Sequence, residues 1–359
     1  MPANRLDAVA SEQARVPTEK NGGAPRRAGL LITAVLCLPA AVLLTWPQAF
    51  GAQHLPGIAQ LIAFRAPLAL ALLVGAIVAA AAFLLLRRRT RLLSSIAAAL
   101  AAVALTAAIG NAAVLLARGS SDASVTRRED GDLTVLAWNT QGGATPPADV
   151  AELILELDAE VVSLPETDED AAAEIARLVA LEGRQMTPAT TRTVENSLEE
   201  SWIPTSLLVA DELGAYELDG AAGATPGLPS GVWRPVGGEG PVIVAAHPAP
   251  PLPESMDDWA AGLRWIAEQC SVLGPDVIVA GDLNATIDHL DLSNCRDAAA
   301  EARTAAAGTW PSTVPVWAAS PIDHVLVGRA WTVLDARVVT PSSSGGTDHR
   351  PIVAVLEKH

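Results

Sequence analysis

The stretch PDVIVAGDLN, residues 275–284, places an acidic turn directly after a run of β-branched and small apolar residues. Residues 277–280 have the composition of a buried strand, and Gly281 is typical of the turn that ends one. Asp282 and Asn284 would then project from the end of that strand. Taken alone, the stretch is more typical of a simple turn, so its significance depends on whether the rest of the chain repeats the pattern.

The pattern recurs beside five other predicted strands. These strands cover residues 133–138, 161–164, 242–246, 324–327 and 352–356. Polar side chains gathered at strand ends form the mouths of many enzyme sites. Each of them separately is compatible with a turn or a helix cap, and only the complete set indicates a catalytic site. The residues in this position are Asn139, Glu166, His247, Asp323, Asp348 and His349.

These residue types suit the hydrolysis of a phosphate ester. That reaction needs a hard cation to neutralise phosphate oxygens, a base that activates water and a donor for the leaving oxygen. Carboxylates such as Glu166 supply the oxygen ligands that Mg²⁺ or Mn²⁺ prefers. An imidazole such as His349, held by a carboxylate, supplies the acid or base. The three cysteines form no CxxC pair, which argues against a zinc site built on thiolates.

Cys270 and Cys295 leave two interpretations open. They form one disulfide if this part of the chain lies outside the cytoplasm, or they are two buried free thiols that behave as small apolar groups. The nearby residues Asp288, His289 and Asp291 are interpreted as structural residues of a loop or short helix.

Charge divides the chain into two regions of opposite sign. Residues 1–121 hold 11 Lys/Arg and 3 Asp/Glu, whereas residues 122–359 hold 13 Lys/Arg and 37 Asp/Glu. Such asymmetry indicates two physical units. The acidic unit would repel nucleic-acid backbones, so high-affinity binding of nucleic acid is possible but disfavoured.

The basic region contains three apolar runs that predict membrane spans, at residues 28–46, 66–86 and 92–116. Each is close to the roughly 20 residues needed to cross a bilayer core. Arginines precede the first run and fill the link between the second and third, while residues 47–60 hold no Lys or Arg. The positive-inside rule therefore predicts an N-terminus in the cytoplasm and everything after the third span outside the cytoplasmic membrane.

Four segments follow from these patterns. Residues 1–27 are predicted to be a disordered, basic cytoplasmic tail, residues 28–117 a three-helix transmembrane region, and residues 118–131 a linker. Residues 132–359 are predicted to be one catalytic domain in which strands and helices alternate. Within it, the Gly/Pro-rich residues 220–240 are predicted to be a long surface loop.

The order of the polar motifs resembles the endonuclease/exonuclease/phosphatase superfamily, which includes pancreatic-type deoxyribonuclease, exonuclease III, inositol polyphosphate 5-phosphatases and neutral sphingomyelinases. The resemblance covers about residues 133–356 and implies an α+β fold, a four-layer α/β/β/α sandwich of the DNase I type, here preceded by three transmembrane helices. The motifs that carry it are Leu136-Ala137-Trp138-Asn139, Ser163-Leu164-Pro165-Glu166, Ala246-His247, Gly281-Asp282-Leu283-Asn284, Ile322-Asp323-His324 and Thr347-Asp348-His349-Arg350-Pro351.

The resemblance also implies a metal site. Glu166 would bind Mg²⁺ or Mn²⁺, with Asn139 and Asp348 around the ion. Two positions depart from the family pattern: Pro165 stands where Gln is usual, and Thr347 stands where Ser is usual. The first change alters a substrate contact but leaves the carboxylate, and the second is mild.

The remaining residues take catalytic roles by the same resemblance. Asp282 would position or deprotonate the attacking water, and Asn284 would hold the phosphate. Asp323 would orient His349, which would contact a phosphoryl oxygen or act as acid or base. His247 would contact the phosphate or the leaving group.

Three functions remain open from sequence. The first is a membrane-tethered phosphatase or phosphodiesterase acting on a lipid-linked phosphate, because the architecture resembles the teicoplanin-resistance membrane proteins of actinobacteria and suggests a polyprenyl pyrophosphate as substrate. The second is an extracellular nuclease, which should show a basic rim. The third is an inactive, membrane-bound binding module, which should lack one of the catalytic residues. The oligomeric state is not predicted.

Overall fold

The structure is a computed structural model that describes residues 37–120, 131–191, 203–341 and 346–359. The predicted tail, the first nine residues of the first predicted span and most of the predicted linker lie outside the described residues. Of that first span, residues 37–45 form a helix, α1.

Two described helices are long and apolar enough to cross a membrane, and both lie where the sequence predicts spans. A short helix, α2 (Ile58–Ala63), precedes the first of them, α3 (Arg65–Leu86), and α4 (Arg91–Arg118) follows after a short arginine-rich link. Both long helices expose most of their apolar side chains, which is the pattern expected for contact with lipid.

The acidic region folds into two six-stranded sheets and four helices. The helices are α5 (Pro147–Leu157), α6 (Glu169–Leu181), α7 (Met256–Val272) and α8 (Ala298–Glu301). The strands are β1 (Leu133–Ala137), β2 (Val161–Pro165), β3 (Met186–Thr190), β4 (Thr205–Ala210), β5 (Tyr216–Leu218), β6 (Gly231–Pro235), β7 (Ile243–Ala246), β8 (Ile278–Asp282), β9 (Arg296–Asp297), β10 (Asp323–Val327), β11 (Trp331–Val338) and β12 (Ile352–Lys358). Single 3₁₀ turns occupy Pro47–Phe50, Asp211–Leu213, Gly220–Ala222 and Val316–Ala318.

The strand order is β11-β12-β1-β2-β4-β3 in the first sheet and β5-β6-β7-β8-β10-β9 in the second. Neighbouring residues of a strand face opposite sides of its sheet. Val135 therefore packs between the two sheets, whereas Leu136 packs against α5 and α6. On the second sheet, Val279 packs against α7 and Ile278 faces the other sheet. The result is the predicted mixed α+β sandwich of two sheets, with helices on both outer faces.

Local sequence explains where the helices of the first face begin and end. Pro147 occupies the first turn of α5, where its missing N–H costs nothing, and Asp158 ends that helix in the left-handed conformation. Asp168 caps α6, because its carboxylate accepts a hydrogen bond from the backbone N–H of Ala171 at 2.8 Å.

The prediction of a long surface loop at residues 220–240 is wrong. Residues 220–240 are not a single surface loop, because β6 runs through them and pairs with β5 on one side and β7 on the other. Val232 and Trp233 are completely buried there. The glycine and proline residues that indicated a loop lie at the ends of this short strand, where they are tolerated.

The two cysteines of the acidic region form a disulfide. Cys270 of α7 and Cys295, next to β9, have Cα atoms 5.6 Å apart and are bonded to each other. Of the two interpretations that the sequence leaves open, the disulfide is the one that the structure contains.

Asp288 joins the membrane helices to the sandwich. Arg65, at the start of α3, donates to Asp288 Oδ2 from Nε at 2.7 Å and to Oδ1 from Nη2 at 2.6 Å. Arg118, at the end of α4, donates to Oδ1 at 2.7 Å. Burial by itself would raise the pKa of Asp288, but the two guanidinium groups outweigh it and hold the pKa far below its ordinary value. Removing one partner of such a buried pair costs about 3–5 kcal/mol.

Gly281 is required by close packing at the end of β8. A Cβ atom there would overlap the carbonyl oxygen of Ala246 on β7, and the φ angle of +149° disfavours any side chain. We therefore expect Gly281→Ala to destabilise the fold by about 2–4 kcal/mol, since strain and overpacking each cost 1–3 kcal/mol. The midpoint of thermal unfolding, followed by tryptophan fluorescence in detergent, measures the effect. Gly237→Ala is the matched control, because a Cβ at Gly237 meets no atom within 4 Å. Equal stability of the two variants would contradict this account of the packing.

Candidate active site

Strand pairing gathers all eight predicted site residues at one end of the sandwich. β1 and β2 are parallel, so Asn139 and Glu166 follow at the same edge. β7 and β8 are also parallel, which places His247 beside Asp282. β10 runs antiparallel to β8 with Asp323 directly opposite Asp282. The last strand, β12, is antiparallel to β1, so Asp348 and His349, just before it, arrive at the same edge.

One amide group connects two carboxylates at the centre of the site. Asn139 Nδ2 donates to Glu166 Oε1 at 2.9 Å and to Asp282 Oδ2 at 3.1 Å. Burial raises the pKa of Glu166, and the nearby Asp282 raises it further. Burial likewise raises the pKa of Asp282. A buried carboxylate and a half-buried one that share one donor concentrate negative charge, which a bound cation would relieve.

His349 and Asp323 form a buried acid–base pair. His349 Nδ1 lies 2.9 Å from Asp323 Oδ2, and its Nε2 lies 3.7 Å from Asp282 Oδ2. Burial alone would lower the pKa of His349, but the carboxylates of Asp323 and Asp282 outweigh it and raise the pKa to about 10. The imidazole is therefore a cation at neutral pH, with Nδ1 donating to Asp323 and Nε2 directed toward Asp282.

His247 lies between the two carboxylates and has the opposite character. Its Nε2 is 3.8 Å from Glu166 Oε1 and 3.9 Å from Asp282 Oδ2. Complete burial lowers its pKa to about 4, although Asp282 opposes that shift. Within the described part of the chain, neither His247 Nδ1 nor Asp323 Oδ1 has a hydrogen-bond partner although both are buried. Unpartnered buried polar atoms are costly and are typical of functional sites.

Asn284 and Asp348 are held at the two sides of the site. The backbone N–H of Asn284 donates to Asp282 Oδ1 at 2.8 Å, and its side-chain Nδ2 donates to the carbonyl of Pro248 at 3.0 Å. Asp348 Oδ2 accepts from the indole of Trp310 at 2.8 Å, and its backbone N–H donates to Gln141 Oε1 at 3.0 Å. These contacts set the positions of both side chains before any substrate binds.

Gln141 and Trp310, whose side chains hydrogen-bond to Asp348, belong to none of the sequence motifs. Gln141 has a weak signal, since it follows the Asn139 strand end and precedes a Gly-Gly turn. Trp310 has none, because it lies in an irregular loop 38 residues from Asp348. Thr347, by contrast, keeps the bonds expected of a hydroxyl: it donates to the Asn139 carbonyl at 2.9 Å and accepts from the His349 N–H at 3.1 Å.

Three non-glycine residues of the site have left-handed backbone conformations. The φ angles are 54° at Gln141, 56° at Glu166 and 47° at Asn284. Each such conformation costs on the order of 1–3 kcal/mol, and it persists only where surrounding contacts enforce it. At Glu166 the carbonyl accepts from Thr140 Oγ1 at 2.9 Å and from the Gly142 N–H at 3.1 Å. These bonds hold the carboxylate where strand geometry would not place it.

The residues fit a hard divalent cation, and two separate groups of side chains could hold it. Asp282, Asp323 and His349 offer atoms within 4.8 Å of one another, but the His349–Asp323 pair is already hydrogen-bonded. The set implied by the resemblance, Glu166 with Asn139 and Asp348, contributes only oxygen ligands, as Mg²⁺ prefers. Asn139 Oδ1 accepts from the backbone N–H of Gln141 at 2.9 Å, so this amide oxygen would reach the ion only if the side-chain amide flipped.

Six of the eight residues line a cavity of about 660 Å³, a volume typical of ligand sites. Asn139 and Asp323 do not line it and are almost completely buried behind it. They support the side chains that face the cavity. The six residues that line it are Glu166, His247, Asp282, Asn284, Asp348 and His349.

A buried imidazole–carboxylate pair beside clustered carboxylates therefore lies at one end of the two-sheet sandwich. The chain belongs to the endonuclease/exonuclease/phosphatase family, whose model matches residues 136–349. Members of this family are generally phosphoester hydrolases that use divalent metals.

Solved structures with a similar fold share little sequence with this chain. D. rerio TDP2, humanised by 14 mutations, aligns at 13% identity and a TM-score of 0.49, over 64% of this chain and 100% of that one. An endonuclease/exonuclease/phosphatase from Bacteroides vulgatus aligns at 14% identity and a TM-score of 0.46, over 64% and 99%. A conserved protein of unknown function from Enterococcus faecalis V583 aligns at 15% and 0.47, over 63% and 100%. A search of curated proteins finds no match.

The pairing of His349 with Asp323 predicts how the stability of the fold depends on pH. Because the folded-state pKa of His349, about 10, lies above its ordinary value of 6.5, the pair stabilises the fold fully below pH 6.5. This contribution is lost as the pH rises through about 10. We expect Asp323→Asn to move the pKa of His349 back toward 6.5 and to flatten the stability profile between these limits. NMR titration of the imidazole and denaturant unfolding in EDTA measure the two effects.

Asp297→Asn is the matched control for this titration. Asp297 pairs with another buried histidine, His324, whose Nδ1 lies 2.7 Å from Asp297 Oδ2. We expect the control variant to lower the pKa of His324 and to leave that of His349 in place. A His349 pKa that does not change in Asp323→Asn would contradict the assignment of this pair.

Proposed function

We propose that the chain is a membrane-tethered phosphoester hydrolase that uses Mg²⁺ or Mn²⁺ and acts outside the cytoplasmic membrane on a lipid-linked phosphate. The observation that carries the hydrolase activity is the His349–Asp323 pair, whose Nε2 lies 3.7 Å from Asp282. A polyprenyl pyrophosphate, or another lipid intermediate of the cell envelope, is the substrate that we favour.

In this proposal Asp282 positions the attacking water and accepts its proton. Burial raises the pKa of Asp282, and Asp323 raises it further, so its carboxylate is a stronger base than an exposed aspartate. Efficient general bases have a pKa brought nearer to the working pH. The backbone N–H of Asn284 donates to Asp282 Oδ1. The other oxygen, Oδ2, therefore lies on the side of His349 and His247.

His349 supplies the positive charge and the proton. As an imidazolium it donates from Nε2 to a phosphoryl oxygen or to the departing oxygen, while Asp323 keeps Nδ1 protonated and the ring in place. Asn284 contacts the phosphate. His247, neutral because burial lowers its pKa to about 4, contacts the phosphate or the leaving group through a ring nitrogen without adding charge.

Glu166, Asn139 and Asp348 are the residues that would hold the metal ion. A bound Mg²⁺ or Mn²⁺ would neutralise charge on the phosphate oxygens and thereby make the phosphorus easier to attack. It would also relieve the repulsion between Glu166 and Asp282, which adds to the effect of burial in raising the pKa of Glu166.

The charge of the cavity favours a lipid over a nucleic acid. Glu254 and Asp258 line the same cavity as the catalytic residues, and carboxylates there repel the phosphates that flank a cleavage site in DNA. A lipid-linked phosphate carries its charge at one end only, so these carboxylates do not repel the rest of the molecule.

The location outside the cytoplasmic membrane is supported by two features. Arginines lie at the link between α3 and α4, whereas the segment between α1 and α3 contains no Lys or Arg before Arg65. The Cys270–Cys295 disulfide is of a kind that forms in oxidising compartments. Both features support a sandwich on the outer side. The proposal includes residues 1–27 as a basic tail in the cytoplasm and the first apolar run as a third span.

The activity is tested with full-length protein in detergent. We expect release of phosphate from polyprenyl pyrophosphate that requires Mg²⁺ or Mn²⁺ and stops in EDTA. His349→Ala and Glu166→Gln should each reduce kcat by roughly 10²–10⁴-fold, and His359→Ala, which alters the exposed last residue, should not. A phospholipid diester and plasmid DNA are tested in parallel. Nicking of DNA without lipid turnover would show a tethered nuclease, and no turnover of any substrate would indicate a binding module.

The topology is tested by fusing alkaline phosphatase, which is active only outside the cytoplasm, at two positions. We expect an active fusion after residue 359 and an inactive fusion after Arg89, in the arginine-rich link. Green fluorescent protein at the same positions should give the opposite pattern. The reverse result in both reporters would refute the proposed orientation.

A further inference from the structure

The segment between the first two apolar helices forms one wall of the active-site cavity. Ala59, Ala63 and Phe64 line the same cavity as Glu166 and His349. These three residues belong to α2 and to its junction with α3, so they come from the membrane region and not from the sandwich. The cavity is therefore completed by a part of the chain that none of the sequence motifs covers.

This wall is attached to the sandwich by specific contacts. Gln60 Nε2 donates to the carbonyl of Pro251 at 2.6 Å, and the ring of Phe64 lies 5.9 Å from that of Trp310. His289 Nε2 lies 3.2 Å from the carbonyl oxygen of Ala59. Ala59 and Gln60 thus contact two separate loops of the sandwich. The network of Arg65, Asp288 and Arg118 fixes the junction immediately beyond it.

The chemistry of the wall differs from that of the catalytic end. Beside Ala63 and Phe64, the cavity is lined by Pro250, Pro251 and Leu252. These side chains offer no hydrogen bond and no charge to a substrate. Burying an apolar chain against them is favourable by about 25 cal/mol per Å² of apolar surface. A phosphate, by contrast, is recognised only at the other end, by His349 and its neighbours.

The wall is also continuous with the membrane. α3 begins at Arg65, directly after Phe64. On the outer side of the same segment, Leu55 and Leu61 remain 54% and 46% exposed, which suits them to lie at the lipid boundary. A molecule that is half in the bilayer could therefore reach the catalytic residues without leaving the apolar surface.

We propose that Ala59, Ala63 and Phe64, with Pro250–Leu252, bind the apolar chain of a membrane lipid whose phosphate lies at the catalytic residues. This inference rests on the proposed function and deepens it, because it assigns the selection of long-chain lipids to the membrane segment. The cavity of about 660 Å³ holds the phosphate and the nearest part of the chain, and the remainder of the chain stays in the bilayer.

The inference is tested with two substrates that share a head group. One is a long-chain polyprenyl pyrophosphate in mixed micelles, and the other is a five-carbon, water-soluble prenyl pyrophosphate. We expect Ala63→Trp, which fills the apolar end of the cavity, and Phe64→Ala, which removes the contact with the chain, to lower the long-to-short ratio of kcat/KM by at least about ten-fold. Most of this change should be in KM for the long chain, because ground-state and transition-state binding are lost together.

Ala71→Trp is the control, since it places the same bulky side chain on the exposed side of α3 and should leave the ratio at its wild-type value. Provided that the wild-type protein hydrolyses the lipid, the inference is overturned if the long-to-short ratio of kcat/KM does not change in Ala63→Trp and Phe64→Ala. An equal loss of kcat/KM on both substrates is one such result. Failure of the wild-type protein to hydrolyse either prenyl pyrophosphate would instead overturn the proposed function.

Discussion

Asp282 ends the central strand of the second sheet with its carboxylate buried, and Asp323 lies directly opposite it on the neighbouring strand. Two carboxylates in this position, with Glu166 joined to Asp282 through Asn139, concentrate negative charge where water screens it poorly. The arrangement is stable only because His349 enters as a cation between Asp323 and Asp282. The carboxylates raise the pKa of His349 against the effect of burial, whereas burial first and Asp323 second raise the pKa of Asp282. The acid–base chemistry of the site depends on both shifts.

A second buried charge, on Asp288, determines how the sandwich meets the membrane region. Its two arginine partners come from the start of α3 and the end of α4, so one carboxylate connects both helices to a loop six residues after Asp282. Because a buried aspartate without its partners would be strongly destabilising, the helices and the active site are held in one relative position. The cavity wall made by α2 follows from this attachment, and so does access from the lipid side.

The strained backbone of Glu166 and Asn284 shows where fold stability and site geometry conflict. A strand that ended in the ordinary way would direct these side chains along the edge of the sheet. Bonds from Thr140 and Gly142 to the carbonyl of Glu166 keep it in the left-handed conformation instead. Natural proteins retain such conformations where the position of a side chain matters more than the free energy lost.

The sequence by itself determined a domain of alternating strands and helices and two of the apolar helices, because strand composition and apolar runs are local features. The two-sheet α+β class followed from the resemblance of the ordered motifs to a known family, and the same motifs contain the residues that meet at the site. The sequence left Cys270 and Cys295 open, it misplaced β6, and it interpreted Asp288 only as a structural residue. Gln141, Trp310 and the wall formed by Ala63 and Phe64 came only from the tertiary structure. Those contacts join positions far apart in the chain, from Phe64 to Trp310 for example, and no local pattern encodes which distant surfaces become neighbours when the sheets pack.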